Sequence, residues 1–220
     1  MNINVNTVKM IKRNKNQYGE SFVFMNLTDD LLIQKLYKLE GVHQNKALFL
    51  SHNDITDQGL MAIANQLIHD TMVQHVVLSD NNIQLSYLTE GVLKKLLSYN
   101  KTIKFFVLNN NIIESSGLMY LANALEHNEA IRHIMLSNNQ IGDLGFIYFL
   151  NKIRTSKGLI ESLILRNNRL TNDSIQFLIH YLNQITSLRK IDIRENQFTN
   201  SNDLYQLKYL SEEKSINLRV

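Results

Sequence analysis

The sequence contains no cysteine. That excludes disulfides, thiolate zinc sites and a cysteine nucleophile, and nothing ties the fold to an oxidising compartment. Charge of one sign is lacking too: 23 Lys and Arg face 20 Asp and Glu, a net charge of +3, with no long basic run. A nucleic-acid binder usually carries a basic stripe, so no nucleic-acid partner is expected. No segment has the apolar length to span a bilayer, and "MNINVNTVKMIKRNKN" at the start lacks the apolar core of a secretory signal. The cytosol is the expected place of work. Proline is also absent, while Asn reaches 28 residues and Ile and Lys are abundant, a bias that points to an AT-rich microbial genome.

Catalytic signatures are missing as well. The chain has no G-x-x-x-x-G-K-[ST], G-x-G-x-x-G, H-E-x-x-H or G-x-S-x-G. Ser98 and Lys101 match S-x-x-K, a short pattern that arises easily by chance and here sits at a helix end. No enzyme activity and no cofactor are expected. What remains is a 220-residue chain, 44% apolar and 20% charged, enough for one globular domain with a substantial core.

The chain repeats itself. Each of six strand-like runs closes on an Asn: Asn53, Asn81, Asn111, Asn139, Asn168 and Asn196, at intervals of 28, 30, 28, 29 and 28 residues. Self-similarity at a fixed period marks a solenoid. Each unit reads L-x-x-L-x-L-x-x-N-x-L, as in Val73, Val76, Leu78, Asn81 and Ile83 or Ile131, Ile134, Leu136, Asn139 and Ile141. Alternation puts Val76 and Leu78 on one face of a strand and His75, Val77 and Ser79 on the other. After the Asn the period becomes helical, with Ile113, Leu118, Leu121, Ala122 and Leu125 on one stripe. Asp57, Ser115, Asp143, Asn172 and Asn200 stand where helix N-caps are expected. No unit can bury its apolar face alone, so stacking must supply the core. The six Asn amides are expected to form a buried ladder that bonds backbone groups in the turns, a structural role. Gly59, Gly117 and Gly145 share one column at the turn into the helix, where backbone geometry is the expected reason for glycine.

Two units depart from the pattern. The second is 30 residues long and has Leu85 where the others carry a cap residue, which predicts a longer or shifted helix. Residues 1–44 read as a degenerate first unit acting as a cap, with Met25 in place of the closing Asn. Residues 45–200 hold the six units. Residues 201–220 read as a C-terminal helix and cap, with "SINLRV" as a short last strand.

This pattern resembles the leucine-rich repeat, and the period resembles its ribonuclease-inhibitor-like class. The resemblance covers roughly residues 43 to 200. It implies an α/β horseshoe with a parallel β-sheet on the concave face and helices on the convex face. It also implies a protein-binding module, since the family mostly builds protein-binding horseshoes.

The concave positions are therefore the candidate site. Their middle column reads Phe49, Val77, Val107, Met135, Ile164 and Asp192, expected to be exposed between the inward leucines. Polar residues would be usual on a half-solvated sheet, so the run of apolar residues suggests a binding patch. His75, Phe105 and His133 lie alongside, and Arg166, Lys190, Asp192 and Arg194 form a charged end. His75 and His133 stand two strands apart, about 10 Å, with Phe105 between them and no third ligand, so no metal is expected. No tyrosine lies on the strands.

The expected function is a monomeric, non-enzymatic interaction module holding a protein partner on its concave face. The composition and the tail "SEEKSINLRV", with Glu212, Glu213 and Leu218, suggest a narrower version: a type IV secreted bacterial effector acting on a host protein in the host cytosol. Ubiquitin-ligase activity, known among bacterial leucine-rich repeat proteins, needs a cysteine in an extra domain that this chain lacks. The alternative is a GTPase-activating protein, because a relative of this repeat class stimulates a small GTPase; Arg166 or Arg194 would then act near the transferred phosphate.

Overall fold

Each repeat puts two apolar residues on one side of a three-residue strand and a third at the following turn, too little to hold a strand alone. The answer is lateral stacking. The computed structural model describes residues 11–16, 19–23, 27–36, 46–155, 159–184 and 186–220, with residues 11–16, 19–23 and 35–36 described by backbone only. In chain order the elements are β1 (Ile11–Asn16), β2 (Gly19–Val23), α1 (Asp29–Leu36), β3 (Ala47–Phe49), α2 (Asp57–Leu67), β4 (His75–Val77), α3 (Tyr87–Tyr99), β5 (Phe105–Val107) and α4 (Ser115–Ala124). They continue as β6 (His133–Met135), α5 (Asp143–Thr155), β7 (Ser162–Ile164), α6 (Asn172–Leu182), β8 (Lys190–Asp192), α7 (Ser201–Glu213) and β9 (Asn217–Arg219).

All the strands form one sheet in sequence order. β1 and β2 make an antiparallel pair, and every pairing from β2 to β9 is parallel. The helices pack each on the next, α1 on α2 through α6 on α7. Between sheet and helices runs one continuous core, from Leu27 and Leu32 to Leu207 and Ile216. This is an α/β leucine-rich repeat solenoid.

Buried polar groups are bonded across rungs. Asn139 donates through Nδ2 to Leu108 O (3.0 Å), Leu136 O (3.0 Å) and Ser137 O (3.2 Å), while its Oδ1 accepts from Ile113 N (3.0 Å). The same set recurs at Asn81, Asn111 and Asn168, each tying its own turn to the rung before it. Five of the six ladder residues, Asn53 to Asn168, are buried. Asn196 is only half-buried, because it closes the last full turn and no seventh Asn turn covers it.

The residue before each ladder Asn is the turning point. His52, Asp80, Asn110, Asn138, Asn167 and Glu195 all have φ between 52° and 59°, the left-handed region. Asn and Asp tolerate it better than other side chains, which accounts for the paired Asn. These side chains form a second, outer ladder: Asn110 Nδ2 donates to Asp80 Oδ1 (2.8 Å) and Asn167 Nδ2 to Asn138 Oδ1 (2.8 Å), with Asn138 bonded to Asn110 between them.

Several expectations need correction. Asp57, Ser115, Asp143 and Asn172 are the first helical residues rather than N-caps; the caps with side-chain bonds are Thr56, Thr171 and Asn200. The four instead reach sideways to the next rung. Asp57 accepts from Gln84, Leu85 and Ser86 N, Ser115 Oγ from Gly142 N, Asp143 from Thr171 N, and Asn172 from Thr199 and Asn200 N. Gly59, Gly117 and Gly145 sit inside the first helical turn with no positive φ. A Cβ at Gly145 would lie 2.6 Å from Ser115 Cα and 2.7 Å from Ser115 O, so close packing of rungs, not backbone geometry, requires glycine. In the second unit the two extra residues precede the helix: Leu85 takes φ 56° and is fully buried, and α3 begins two residues late at Tyr87. A cleft of about 390 Å³ opens beside this shifted start, lined by Tyr87, Ile112, Glu114 and Tyr120 among others. Met25 lies outside the described residues.

Candidate functional site

The concave face is set by strand register. Its middle column is Phe49↔Val77↔Val107↔Met135↔Ile164↔Asp192 across β3 to β8, one residue per strand. Alternation turns these residues away from Leu48, Val76, Phe106, Ile134, Leu163 and Ile191, all buried. The five apolar members are half-buried rather than fully exposed, because neighbouring strands about 4.8 Å apart shade one another.

Asp192 departs further. It is buried at 4% exposure and carries Arg194 on it, Nε to Oδ1 at 3.0 Å and Nη2 to Oδ2 at 2.7 Å. Burial pushes its carboxyl up, but hydrogen bonds and charge from Arg194, with charge from Arg219, outweigh this and hold it below the ordinary value. Arg166 is exposed and pairs with Glu195. The charged end thus consists of two ion pairs, with Lys190 beside them.

The second concave column brings together the aromatic residues. His75 stacks on Phe105 with centroids 4.2 Å apart and planes 5° from parallel, and Phe105 stacks on His133 at 4.1 Å and 20°. The phenyl ring fills the space between the two imidazoles. Both histidines have pKa values below the ordinary one. Burial is the main cause for each; His75 is also opposed by His133, while for His133 the attraction of Glu161 is offset by Arg132 and Lys190. At neutral pH the stack is an uncharged, three-ring surface.

Two features were missed in the sequence. Asp70, Asn100 and Asn128 are buried in the turns before the strands. Asn100 Oδ1 accepts from Thr102 N (3.0 Å) and Ile103 N (2.9 Å), and Asn128 Oδ1 from Ala130 N (3.1 Å) and Ile131 N (2.8 Å). The signal was present: an Asp or Asn three residues before Val73, Ile103 and Ile131. The other is the residue just before each strand: Lys46, Gln74, Lys104, Arg132, Glu161 and Arg189. They share one column, since the carbonyls of Lys46, Gln74, Lys104, Arg132 and Glu161 each accept two backbone N–H groups from the next rung.

The fold is that of leucine-rich repeat proteins. The family described as "Leucine Rich repeat" matches residues 46–64. Among solved structures the chain is similar to the actin-binding site 2 domain of leiomodin-1, at 15% identity and a TM-score of 0.52, covering 86% of this chain and 90% of that one. It also resembles a Bacteroides fragilis protein, at 11% identity and a TM-score of 0.38 over 94% of this chain and 74% of that one. A plant peptide hormone receptor, RGFR1 in complex with RGF2, is similar at 13% identity and a TM-score of 0.41; 89% of this chain is covered but only 29% of the receptor. No protein of curated function matches the chain. The likeness to leiomodin-1 supports the fold alone. Among the described residues no helix is long and apolar enough to cross a membrane.

Proposed function

We propose that the chain is a non-enzymatic protein–protein interaction module of the ribonuclease-inhibitor-like class, holding a protein partner on its concave face. One observation carries the reading: Phe49, Val77, Val107, Met135 and Ile164 form an unbroken apolar column on five adjacent strands, with a neutral aromatic stack beside it. Apolar surface left partly open on a sheet among the described residues is the kind that associates. The span of about 19 Å suits a protein segment better than a small molecule.

The GTPase-activating alternative is less well supported, because Arg166 and Arg194 are each held by a carboxylate, Glu195 and Asp192. An effector role in a host cell rests on composition. Its proposed tail signal is built into the last rung: Glu212 and Glu213 end α7, and Leu218 lies in β9, packed on the core.

The test is capture from host-cell and bacterial lysates with wild type and with Val107→Asp/Met135→Asp. The double variant should fold, since both side chains face away from the core, yet lose the captured protein by several kcal/mol of affinity. A folded double variant that captures the same protein equally well would move the site to the loops or the helices.

A further inference from the structure

The concave face has an electrostatic edge. Four of the six residues that precede the strands are basic, Lys46, Lys104, Arg132 and Arg189, and Lys190 adds a fifth charge one position on. The only acid in that column is Glu161, and it is taken by Arg132, Nε to Oε1 at 3.5 Å. Lys46, Lys104, Arg189 and Lys190 make no ion pair among the described residues. Arg189 is nonetheless fixed in place, its Nη1 donating to Thr186 O (2.7 Å) and Leu188 O (3.1 Å), as Arg132 Nη1 does to Glu129 O (2.7 Å) and Ile131 O (3.2 Å).

Two acids elsewhere on the concave side are ion-paired, Asp192 with Arg194 and Glu195 with Arg166, and Asp80 stands at the turn after β4, hydrogen-bonded to Asn110 and 3.5 Å from His52. Among the described residues, the uncompensated charge along the edge where the strands begin is therefore positive, beside the His75–Phe105–His133 stack. From β3 to β8 this edge covers five strand spacings, roughly 24 Å, the length of about seven extended residues.

We infer that the partner is an acidic, aliphatic protein segment, extended across the strands with carboxylates over Lys46, Lys104, Arg189 and Lys190 and apolar side chains on Phe105 and the column from Val77 to Ile164. The inference rests on the concave-face reading above and names the chemistry of what that face holds. The apolar contacts supply affinity, and the unpaired cations set orientation and exclude basic partners.

The probes are three short labelled peptides, in which Glu alternates with Leu, Lys with Leu, or Glu with Ser, and a mixed-sequence single-stranded oligonucleotide, read by fluorescence anisotropy on the full chain. The Glu–Leu peptide should bind tightest. Lys104→Glu/Arg189→Glu, at two exposed positions, should still melt cooperatively, with only the small loss of the two Arg189 hydrogen bonds, weaken that peptide at least about tenfold and shift preference to the Lys–Leu peptide. Equal or tighter binding of the Lys–Leu peptide by wild type would overturn the inference, as would tighter binding of the oligonucleotide, in which bases would use Phe105 for stacking. Absence of Glu–Leu binding also overturns it and leaves the concave-face reading to its lysate test. If the charge reversal weakens the Glu–Leu peptide but Val107→Asp/Met135→Asp does not, the edge binds without the sheet, and the concave-face reading itself fails.

Discussion

The turn after each strand repeats almost residue for residue, whereas the strand it follows carries Phe49 in one rung and Asp192 in another. The two regions lie within a few residues of each other but answer to different constraints. In the turn, buried backbone N–H and C=O groups must find partners in every rung, and a ladder Asn meets that need with donor and acceptor on one amide. Concave positions make no such demand, since strand hydrogen bonds are main-chain and most of the side chains there are only partly covered. Variation from rung to rung is tolerated there, and that freedom is where recognition can be written.

The sharpest way to break this comparison is between adjacent residues. Leu136→Asp should unfold the protein, a loss of more than about 4 kcal/mol, because Leu136 is fully buried and a carboxylate there has no partner. Met135→Asp, one residue earlier but on the concave side, should still melt cooperatively. Loss of folding in both, by circular dichroism, would mean that the concave column belongs to the core.

Next comes the turn. Asn139→Ala removes one acceptor and three donated bonds and should cost roughly 1–3 kcal/mol in urea unfolding. Asn138→Ala should cost less, about 1 kcal/mol, and for another reason: Asn138 is exposed, but its φ of 56° is one that alanine adopts poorly. Asn138→Gly should recover most of that loss, while Asn139→Gly should recover none. Equal melting shifts for Asn138→Ala and Asn139→Ala would erase the distinction between outer and buried ladders.

The smallest effect belongs to the concave histidines. The folded chain resists protonating His75 and His133, through burial first; repulsion from His133 adds to it at His75, while at His133 the attraction of Glu161 is opposed by Arg132 and Lys190. Below the ordinary value of about 6.5 the unfolded chain therefore binds more protons, and stability falls as the pH drops through the lowered values. The melting temperature of wild type should decline more between pH 7 and pH 5 than that of His75→Gln/His133→Gln. Parallel declines would mean that other groups govern the slope.

Much of the solenoid was legible because its period leaves a record at every rung. The strand alternation, the helical stripe and the column Asn53 to Asn196 recur at nearly constant spacing, and each follows from local burial and backbone bonding. What was not legible were the bonds between rungs. Asp57 looks like a helix cap by position, but its carboxylate goes to Gln84, Leu85 and Ser86, a choice that depends on the distance between stacked units. Gly145 looks like a turn glycine, but Ser115 of the preceding rung forbids a side chain there.

The same division holds for the candidate site. Which residues share the concave face followed from the sequence alone, because parity along a strand and a fixed repeat determine face and column together. How those residues pair did not. Only the stacked structure closed Arg194 onto Asp192, sandwiched Phe105 between two histidines, and left Lys46, Lys104, Arg189 and Lys190 along one edge with no ion pair among the described residues. Such pairings are set by strand spacing and side-chain reach across rungs about 28 residues apart, quantities that no local pattern contains.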